Sequence, residues 1–304
     1  AQLVDLANRV LSERENLAGR LGGEDDAEAL EDILSVGTSA GGARAKAVLA
    51  WSRDTGEFRS GQVIVDEGYE HWLLKFDGVS NNRDKELADP QGFGKIEYAY
   101  YLMATAAGIG MSECRLHHEG GRSHFMTRRF DRDERGRKVH MQSLGAMQHF
   151  DFNDPASYSY EQAIMTIRDL GLGMDVVEQQ YKRAIFNVVA RDQDDHVKNI
   201  SFLMDRSGTW RLSPAYDVAY SYNPFGSWTR DHQMSLAGKR NDFTYGDLMV
   251  FASNVGLKSN RANQPSRAVA RAVAQWHEFA ERAGVEHSDV SRIEKTFRMN
   301  LRDK

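Results

Sequence analysis

Three aspartates, a histidine, a lysine and an asparagine lie within residues 191–199, which read Arg-Asp-Gln-Asp-Asp-His-Val-Lys-Asn. An apolar run of helical character, 181–190, precedes them, and the apolar run 200–204 follows. A polar segment between a helix and a strand is a loop held by rigid elements, and such loops often carry function. Asp194 precedes Asn199 by five residues, the spacing of a base aspartate and a metal-binding asparagine in loops that transfer phosphoryl groups. Because chance also produces this spacing, the rest of the chain must support it.

Composition limits the classes of protein to which the chain can belong. With 304 residues, 41% hydrophobic and 27% charged, it resembles ordinary soluble globular proteins and can bury a large core, as one bilobed unit or as two domains. Its net charge of -5 gives no general basic surface for nucleic acid, although a local patch remains open. The single cysteine, Cys114, excludes an internal disulfide and fits a reducing compartment. No apolar run is long enough to cross a bilayer, so we expect a cytoplasmic protein without a membrane partner.

A segment rich in small residues, 37–46, carries two hydroxyl groups and ends in a lysine. Successive glycines let backbone N–H groups turn toward an anion, and a hydroxyl or a lysine can meet a phosphate. The segment does not match the Walker A pattern, and a plain surface loop before a strand is the alternative. Two helices are predicted before residue 35, and strands are predicted at 47–51, 62–66 and 71–76.

Lys75 lies inside the otherwise apolar strand 71–76, and Glu97 lies near the start of a helix predicted at 94–107. The lysine could extend its ammonium group to solvent, or it could hold a cation toward a nucleotide phosphate. The glutamate is predicted in the first helical turn, where the helix dipole favours a carboxylate. It could also pair with Lys75, as a strand lysine and a helix glutamate do in kinases.

Strands at 113–118 and 123–130 complete a set of five strands and one helix, which fits an antiparallel sheet with a helix packed on it. From residue 141 onward the pattern is mainly helical, with a short strand at 209–212 and then Asp217. Helices are predicted at 144–149, 159–170, 177–190, 245–252, 267–283 and 288–301. A small-residue loop, a strand lysine, a helix glutamate, an Asp-x4-Asn loop and a later aspartate follow the order of parts in kinase-like phosphotransferases. We therefore expect an α+β, bilobed protein-kinase-like fold, with a β-rich N-lobe at 1–131 and a mainly helical C-lobe at 132–304.

Several stretches make the resemblance specific: the chain resembles the HipA family, the serine/threonine kinase toxins of bacterial toxin–antitoxin pairs. The resemblance covers roughly residues 35–257 and rests on segments 39–46, 73–75, 128–132, 186–189, 194–199 and 212–217.

The resemblance implies ATP and Mg²⁺ as cofactors and assigns roles to individual residues. Asp194 would orient and deprotonate the substrate hydroxyl, Asn199 and Asp217 would hold Mg²⁺, and Lys75 would contact the α- and β-phosphates. Phosphoryl transfer needs these groups, because it requires oxygen ligands for the metal, cations for the negative charge and one positioned base. The other residues assigned to nucleotide binding are Gly41, Gly42, Ala43, Arg44 and Lys46 over the phosphates, Arg128 and Phe130 at an adenine hinge, Asp131 near the ribose, and His196, Lys198 and Tyr216. For His196 we favour a loop-bracing hydrogen bond over proton transfer, and Asp195 is interpreted as a spacer.

The family also autophosphorylates a serine of the phosphate-binding loop, and the matching hydroxyl here is Ser39, with Thr38 and Ser35 as neighbours. A phosphate at this position would repel the phosphates of ATP. The implied partners are a protein substrate such as an aminoacyl-tRNA synthetase, a helix-turn-helix antitoxin, and operator DNA through the antitoxin complex.

The chain departs from the family pattern at two places. Asp192 stands where relatives often have asparagine, and this extra carboxylate could tighten or misplace the metal. Only 36 residues precede Gly37, whereas many relatives carry a longer β-rich segment there, so we expect a fragment or a shortened member. Two other functions remain open, a small-molecule kinase and an inactive scaffold that binds an antitoxin and aids operator repression.

Overall fold

In the computed structural model, residues 45–61, 68–78 and 91–301 are described. They divide into two compact units, of which one contains described residues 45–98 and 112–138 and the other 99–111 and 139–301. The boundary predicted after residue 131 lies within the first unit. The helices predicted before residue 35, most of the small-residue loop and the strand predicted at 62–66 lie outside the described residues.

The first unit contains an antiparallel five-stranded sheet with the strand order β2-β1-β3-β5-β4. A tight turn connects β1 to β2, and Gly56 adopts the positive φ of 74° that such a connection requires. Along β3, Trp72 and Leu74 are buried on one face, and His71 and Lys75 are buried on the other. Both faces of this strand are therefore covered. The strands are β1 (Lys46–Ser52), β2 (Phe58–Ser60), β3 (Tyr69–Lys75), β4 (Cys114–Glu119) and β5 (Arg122–Arg128).

Helix α1 (Phe93–Ala106) begins and ends within one residue of the predicted helix. Its apolar face buries Ile96, Tyr100 and Met103, which recur at the helical spacing of three and four residues. The predicted place of Glu97 in the first turn is wrong, because the helix starts at Phe93 and has no acidic residue in that turn. The dipole of α1 therefore does not account for this carboxylate.

The second unit contains a small antiparallel sheet of three strands, β6 (His140–Ser143), β7 (Ser201–Met204) and β8 (Trp210–Leu212), with β7 in the centre. The sequence indicated β7 and β8 but not β6, since a mainly helical region was predicted from residue 141 onward. Strand β6 is short and partly exposed, and its pairing partner β7 lies far along the chain. Local apolar periodicity therefore gave no signal for it.

Helix α4, the longest helix of the described second unit, buries Val177, Tyr181, Ala184 and Val188 along one face, as predicted. Helix α3 begins with a capping box, in which the Ser159 hydroxyl accepts from the backbone of the third helical residue and so satisfies one of the N–H groups that lack helical partners. The helices are α2 (Leu144–Gln148), α3 (Tyr160–Asp169), α4 (Met174–Ala190), α5 (Tyr245–Asn254), α6 (Ser259–Ala274), α7 (Trp276–Ala283) and α8 (His287–Glu294).

The C-terminal helices differ from the prediction in two respects. The single helix predicted at 267–283 is wrong, because α6 already begins at Ser259 and the backbone of Gln275, with φ of -94° and ψ of 18°, leaves helical geometry before α7. Directly after this break, the indole N–H of Trp276 donates to the carbonyl of Val290 at 3.0 Å. This buried bond attaches α7 to α8, which ends at Glu294 rather than at 301 as predicted. Within the described residues, no helix is long and apolar enough to span a membrane.

Candidate active site

A buried ion pair joins β3 to α1 in the first unit. The ammonium group of Lys75 lies 2.6 Å from Oε1 of Glu97, and both residues are buried. The pairing predicted from the sequence is therefore present, and Lys75 does not extend to solvent. A desolvated pair of this kind requires good geometry, and it fixes the direction of the lysine stem.

The same face of the sheet carries a second lysine. Lys46 of β1 lies opposite Lys75 of β3 in the antiparallel register. Side chains at directly opposed positions are neighbours, and two like charges there oppose each other. A pair of cations at this position is therefore suited to a strongly anionic ligand. The other residues predicted to cover the phosphates, together with Ser39, lie outside the described residues; they are Gly41, Gly42, Ala43 and Arg44.

The predicted adenine hinge follows β5. The N–H of Arg129 donates to the carbonyl of His71 at 2.8 Å, which attaches the segment to β3. Asp131 accepts from Arg129 at 2.8 Å and from Arg132 at 2.8 Å. Burial would raise the pKa of Asp131, but the two arginines outweigh it and leave the pKa below its ordinary value. The carboxylate of Asp131 is therefore already hydrogen-bonded to two arginines. The roles of Phe130 toward adenine and of Asp131 toward ribose stay predictions.

The loop that begins after α4 positions Asp194 through backbone and side-chain contacts. Arg191 ends the helix in the left-handed conformation, with φ of 61°. The Ser221 hydroxyl accepts from the N–H of Asp194 at 2.9 Å, and the Asn199 amide donates to the Asp194 carbonyl at 2.9 Å. The Trp228 indole N–H donates to Oδ1 of Asp194 at 2.7 Å. With 42% of its side-chain surface exposed, the carboxylate remains accessible to a second molecule.

Asp192 lies behind this loop and is almost wholly buried. Its Oδ1 accepts from the Ser221 hydroxyl at 3.1 Å, so one serine connects Asp192 to the backbone of Asp194. Burial, together with the negative charges of Asp195, Asp194 and Asp217, raises the pKa of Asp192 well above its ordinary value. The carboxylate that departs from the family pattern is therefore a costly buried acid.

Asp195, which the sequence suggested is only a spacer, connects three elements of the second unit. It accepts from the Tyr160 hydroxyl at 2.6 Å and from the N–H of Gln233 at 2.8 Å. Its Oδ2 also lies 2.7 Å from Nδ1 of His232, and the Asn187 amide donates to the Tyr160 hydroxyl at 2.9 Å. The spacer interpretation is wrong, because this buried, satisfied network holds the loop between α3, α4 and the segment after Asp217.

His196 does not make the bracing hydrogen bond expected of it. Its Nε2 lies 3.8 Å from Oδ1 of Asp194, too far for a hydrogen bond, and its buried Nδ1 lacks a partner among the described residues. The ring meets Phe152 edge-on, with centroids 5.8 Å apart. The ammonium group of Lys198 lies over the same phenyl ring, and burial lowers the pKa of this lysine.

Asn199 and Asp217, the two predicted metal ligands, line one cavity of about 30 Å³ in the second unit, which is room for about one water molecule. Asp217 adopts the left-handed conformation, with φ of 56°, an uncommon one for a residue other than glycine. Before it, the Tyr216 hydroxyl donates to the Lys198 carbonyl at 2.5 Å and lies 2.5 Å from the Ser201 hydroxyl. Tyr216 therefore joins β7 to the loop instead of directing its hydroxyl outward.

Comparison with known proteins identifies the family. The HipA-like C-terminal domain matches residues 38–277, which is most of the chain. The chain belongs to the HipA-like C-terminal domain family. Among solved structures, HipA of Shewanella oneidensis MR-1, in a toxin–antitoxin complex with HipB and operator DNA, is similar with a TM-score of 0.64 and 16% identity, over 95% of this chain and 68% of that one. The proinflammatory kinase CtkA of Helicobacter pylori gives a TM-score of 0.44 and 11% identity, over 75% of this chain and 88% of that one. None of the curated protein sequences compared with the chain is significantly similar to it.

Family membership confirms the resemblance to the HipA family that the sequence indicated. It also confirms the predicted α+β, kinase-like fold of this HipA-like chain. The identity of 16% to the Shewanella protein supports the fold alone. The roles of the site residues therefore depend on the local chemistry of the HipA-like chain itself.

That chemistry fits a bound nucleotide phosphate with Mg²⁺. Mg²⁺ takes one or two protein oxygens and completes its shell with phosphates and water, and Asn199 and Asp217 offer two oxygens to one cavity. His196 and Arg183 line the same cavity, and their buried Nδ1 and Nε atoms lack partners among the described residues. Burial lowers the pKa of Arg183 to about 10, which leaves a cationic donor at neutral pH. The described residues contain no group of three or more His, Cys, Asp or Glu arranged for a metal.

Sequence reasoning missed Trp228 and Ser221, which both contact the Asp194 residue. Both lie in the stretch between Asp217 and residue 245, for which the sequence predicted no helix or strand. Neither has a fixed spacing from the Asp-x4-Asn segment, so no local pattern could have identified them. The stretch returns to the loop only through the tertiary fold of this HipA-like chain.

Proposed function

We propose that the chain is an ATP- and Mg²⁺-dependent serine/threonine-protein kinase. One observation carries this proposal. The half-exposed carboxylate of Asp194 is held through one oxygen by Trp228, in the loop that also brings Asn199 to the cavity lined by Asp217. A base with a free oxygen beside two metal-type ligands is what phosphoryl transfer to a hydroxyl requires.

In this proposal, Oδ2 of Asp194 accepts the proton of a serine or threonine hydroxyl. The hydroxyl oxygen then forms a bond to the γ-phosphorus of ATP, the bond from that phosphorus to the bridging oxygen breaks, and ADP leaves with the electron pair. Asn199 and Asp217 would hold Mg²⁺, which would offset negative charge on the phosphates. Partial burial raises the pKa of Asp194, against the lowering effect of His196 and of the Trp228 N–H, and Asp217 and Asp195 add to the rise. A raised pKa makes the carboxylate a stronger base.

Lys75, directed by Glu97, is proposed to contact the α- and β-phosphates, with Lys46 opposite it in the sheet. The proposal also includes Gly41, Gly42, Ala43 and Arg44 over the phosphates, Arg128 and Phe130 under the adenine, Asp131 near the ribose, and His196, Lys198 and Tyr216 in the nucleotide site.

The proposed protein substrate includes the chain itself at Ser39. A phosphoserine carries close to two negative charges, so it would compete with the phosphates of ATP for the cations that bind them. Phosphorylation of Ser39 would therefore turn the activity off. An aminoacyl-tRNA synthetase is the kind of external substrate that the family resemblance implies.

A helix-turn-helix antitoxin is the second proposed partner. The Shewanella HipA structure was solved with HipB and operator DNA, and this assembly supports an antitoxin for the present chain, with operator DNA bound through the complex.

Asp192 favours a second candidate function. A buried carboxylate with a strongly raised pKa, lining the cavity of the metal-type residues, could hold the cation that transfer requires in the wrong position. In that case the chain is an inactive kinase-like scaffold for the antitoxin. A small-molecule kinase remains a third candidate, for which no described contact is specific.

The deciding experiment incubates the protein with ATP and Mg²⁺ and follows three signals. These are ADP release, the mass of the Ser39 peptide, and transfer of labelled phosphate to lysate proteins and to small alcohols. We expect ADP release and a phosphorylated Ser39 peptide, both lost in Asp194→Asn and kept in the control Asp205→Asn, whose carboxylate lies in an exposed turn. Unmodified Ser39 with no labelled protein would contradict a protein kinase. Absence of ADP release as well would favour the scaffold, and label in small alcohols alone would favour a small-molecule kinase.

A further inference from the structure

Phe225 is unusual in the second unit because 96% of its surface is exposed. Among the described residues, the next most exposed large apolar side chain is Met165, at 61%. A single exposed apolar side chain needs no explanation by itself. Phe225 is notable because hydrogen bonds hold the backbone around it and because its loop contacts Asp194.

Residues 222–228, here called the aromatic turn, hold Phe225 in a fixed conformation. The Asn223 side-chain oxygen accepts from the N–H of Phe225 at 3.1 Å, and the Asn223 carbonyl accepts from the N–H of Gly226 at 3.1 Å. The N–H of Asn223 reaches the Thr229 carbonyl at 3.3 Å and closes the turn. Pro224 also fixes its own φ. The exposure of the phenyl ring is therefore built into the turn, and it does not result from a loose loop.

The aromatic turn is attached to the loop of Asp194 on both sides. At its end, the Trp228 N–H donates to Asp194, and the Gln193 side chain donates to the Thr229 carbonyl at 3.2 Å. Just before it, the Ser221 hydroxyl accepts from the N–H of Gln193 at 2.6 Å. Any molecule that contacts Phe225 therefore meets a surface whose distance from Asp194 is fixed.

We propose that the aromatic turn is the docking element for a polypeptide substrate, and that an apolar side chain flanking the acceptor hydroxyl packs against Phe225. This inference rests on the proposed kinase function. Phe225 precedes Trp228 by three positions, so the chain between them reaches at most about 11 Å. A bound peptide covers such a distance with about three extended residues. A small alcohol or sugar engaged at Asp194 offers Phe225 no apolar side chain.

The aromatic surroundings of Asp194 agree with this substrate class. Phe152 meets Trp228 edge-on, with ring centroids 6.4 Å apart. Apolar area near the acceptor position therefore includes more than Phe225 alone. Burying an aromatic side chain changes affinity by about tenfold or more, so a peptide with a suitable apolar residue would be selected over one without it.

The test uses a library of serine-centred peptides in which each of the three positions on either side of the serine is varied. The proteins compared are the wild type, Phe225→Ala, Phe225→Leu and the control Met165→Ala, whose exposed side chain lies on α3. We expect the wild type to favour apolar residues at one flanking position. Phe225→Ala should lower kcat/KM for those peptides about tenfold through KM, with peptides lacking the apolar residue unchanged. Phe225→Leu should keep most of the preference, and Met165→Ala all of it.

Two further measurements separate the failure of this inference from that of the kinase function. Displacement of a fluorescent ATP analogue and the melting temperature should be equal in all four proteins. A wild type that phosphorylates peptides without an apolar preference, or a Phe225→Ala protein with the wild-type preference, overturns the inference and leaves the kinase intact. A change confined to sedimentation, from dimer to monomer, would assign Phe225 to self-association and also overturn it. No transfer to any peptide or to Ser39 contradicts both proposals.

Discussion

The indole N–H of Trp228 donates to Oδ1 of Asp194 at 2.7 Å, from a position 34 residues further along the chain. The bond leaves Oδ2 as the oxygen that can accept from another molecule, and the exposed fraction of the side chain permits access to it. A tryptophan with one donor and no acceptor can hold a carboxylate without competing for the substrate proton. Trp228 is therefore a positioning residue for the proposed base.

Trp228→Phe should lower kcat for phosphate transfer about tenfold, because the phenyl ring keeps the packing and loses one charge-assisted hydrogen bond of roughly 1.5 kcal/mol. The measurement is single-turnover transfer of labelled phosphate, with ATP affinity measured in parallel. The control is Trp210→Phe on β8, whose ring meets His140 edge-on. An equal loss in both variants, or a change in ATP affinity alone, would contradict a positioning role.

Lys75→Met and Glu97→Gln should each destabilise the protein by about 3–5 kcal/mol, because each leaves a buried charge without its opposite. Combined in one protein, the two substitutions should recover much of that stability, since both charges are gone, while transfer activity stays lost. Urea unfolding of the three variants together with the phosphate-transfer assay makes the comparison. An active double variant would show that Lys75 serves only the fold.

Asp192→Asn should raise the melting temperature at pH 8 and have little effect near pH 4. The folded state raises the pKa of Asp192 above the ordinary value, so the folded state holds the proton more tightly than the unfolded state. Its stability is therefore highest below the ordinary pKa and falls as pH rises toward the folded pKa. An asparagine oxygen can still accept from Ser221. A stabilisation of about 1 kcal/mol would raise the melting temperature by roughly 2–4 °C for a domain of this size class.

Scans at several pH values check this prediction, with Asp205→Asn as the control. The pKa of the exposed Asp205 is lowered, first because the Ser207 hydroxyl donates a hydrogen bond to it. The pH dependence of its contribution to stability therefore has the opposite sign to that of Asp192. Its contribution is present above the ordinary pKa and is lost on acidification. The control should therefore gain nothing at pH 8. A gain for Asp192→Asn that is independent of pH would contradict the charge argument.

Asp217→Asn should raise the Mg²⁺ concentration for half-maximal transfer by about tenfold or more, because one charged oxygen ligand becomes neutral. A titration of activity against Mg²⁺ at saturating ATP measures this shift. Asp151→Asn, which alters an exposed carboxylate on a turn, should leave the titration unchanged. An unchanged midpoint for Asp217→Asn would remove Asp217 from the metal site.

Tyr160→Phe should destabilise the protein by about 1–3 kcal/mol, because it leaves Asp195 with one donor fewer and Asn187 without its acceptor in a buried network. Denaturant unfolding measures this change in the free energy of unfolding. Tyr158→Phe, which removes an exposed hydroxyl that accepts from the backbone N–H of Asp151, should cost less. Equal costs would show that the buried network contributes no more than a surface bond.

The sequence by itself determined the family, the kinase-like fold class and most of the element order. The apolar residues of α4 recur at the period of a helix, and those of β3 alternate at the period of a strand. Both patterns are local, so they are visible in the sequence. The segments around Asp194, Asn199 and Asp217 identified the family because their residue types and spacing are local features of the sequence. The Lys75–Glu97 pair was also anticipated, from the order of parts.

Only the tertiary structure decided the environment of these residues. Asp195 is adjacent to Asp194 in sequence, yet Tyr160, His232 and Gln233 make it the centre of a buried network, which no spacing within the loop could indicate. In the same way, β6 exists because β7 pairs with it, and Trp228 reaches Asp194 because the chain after Asp217 folds back. Contacts across long sequence separations carry no local period, so they become visible only when the chain is folded.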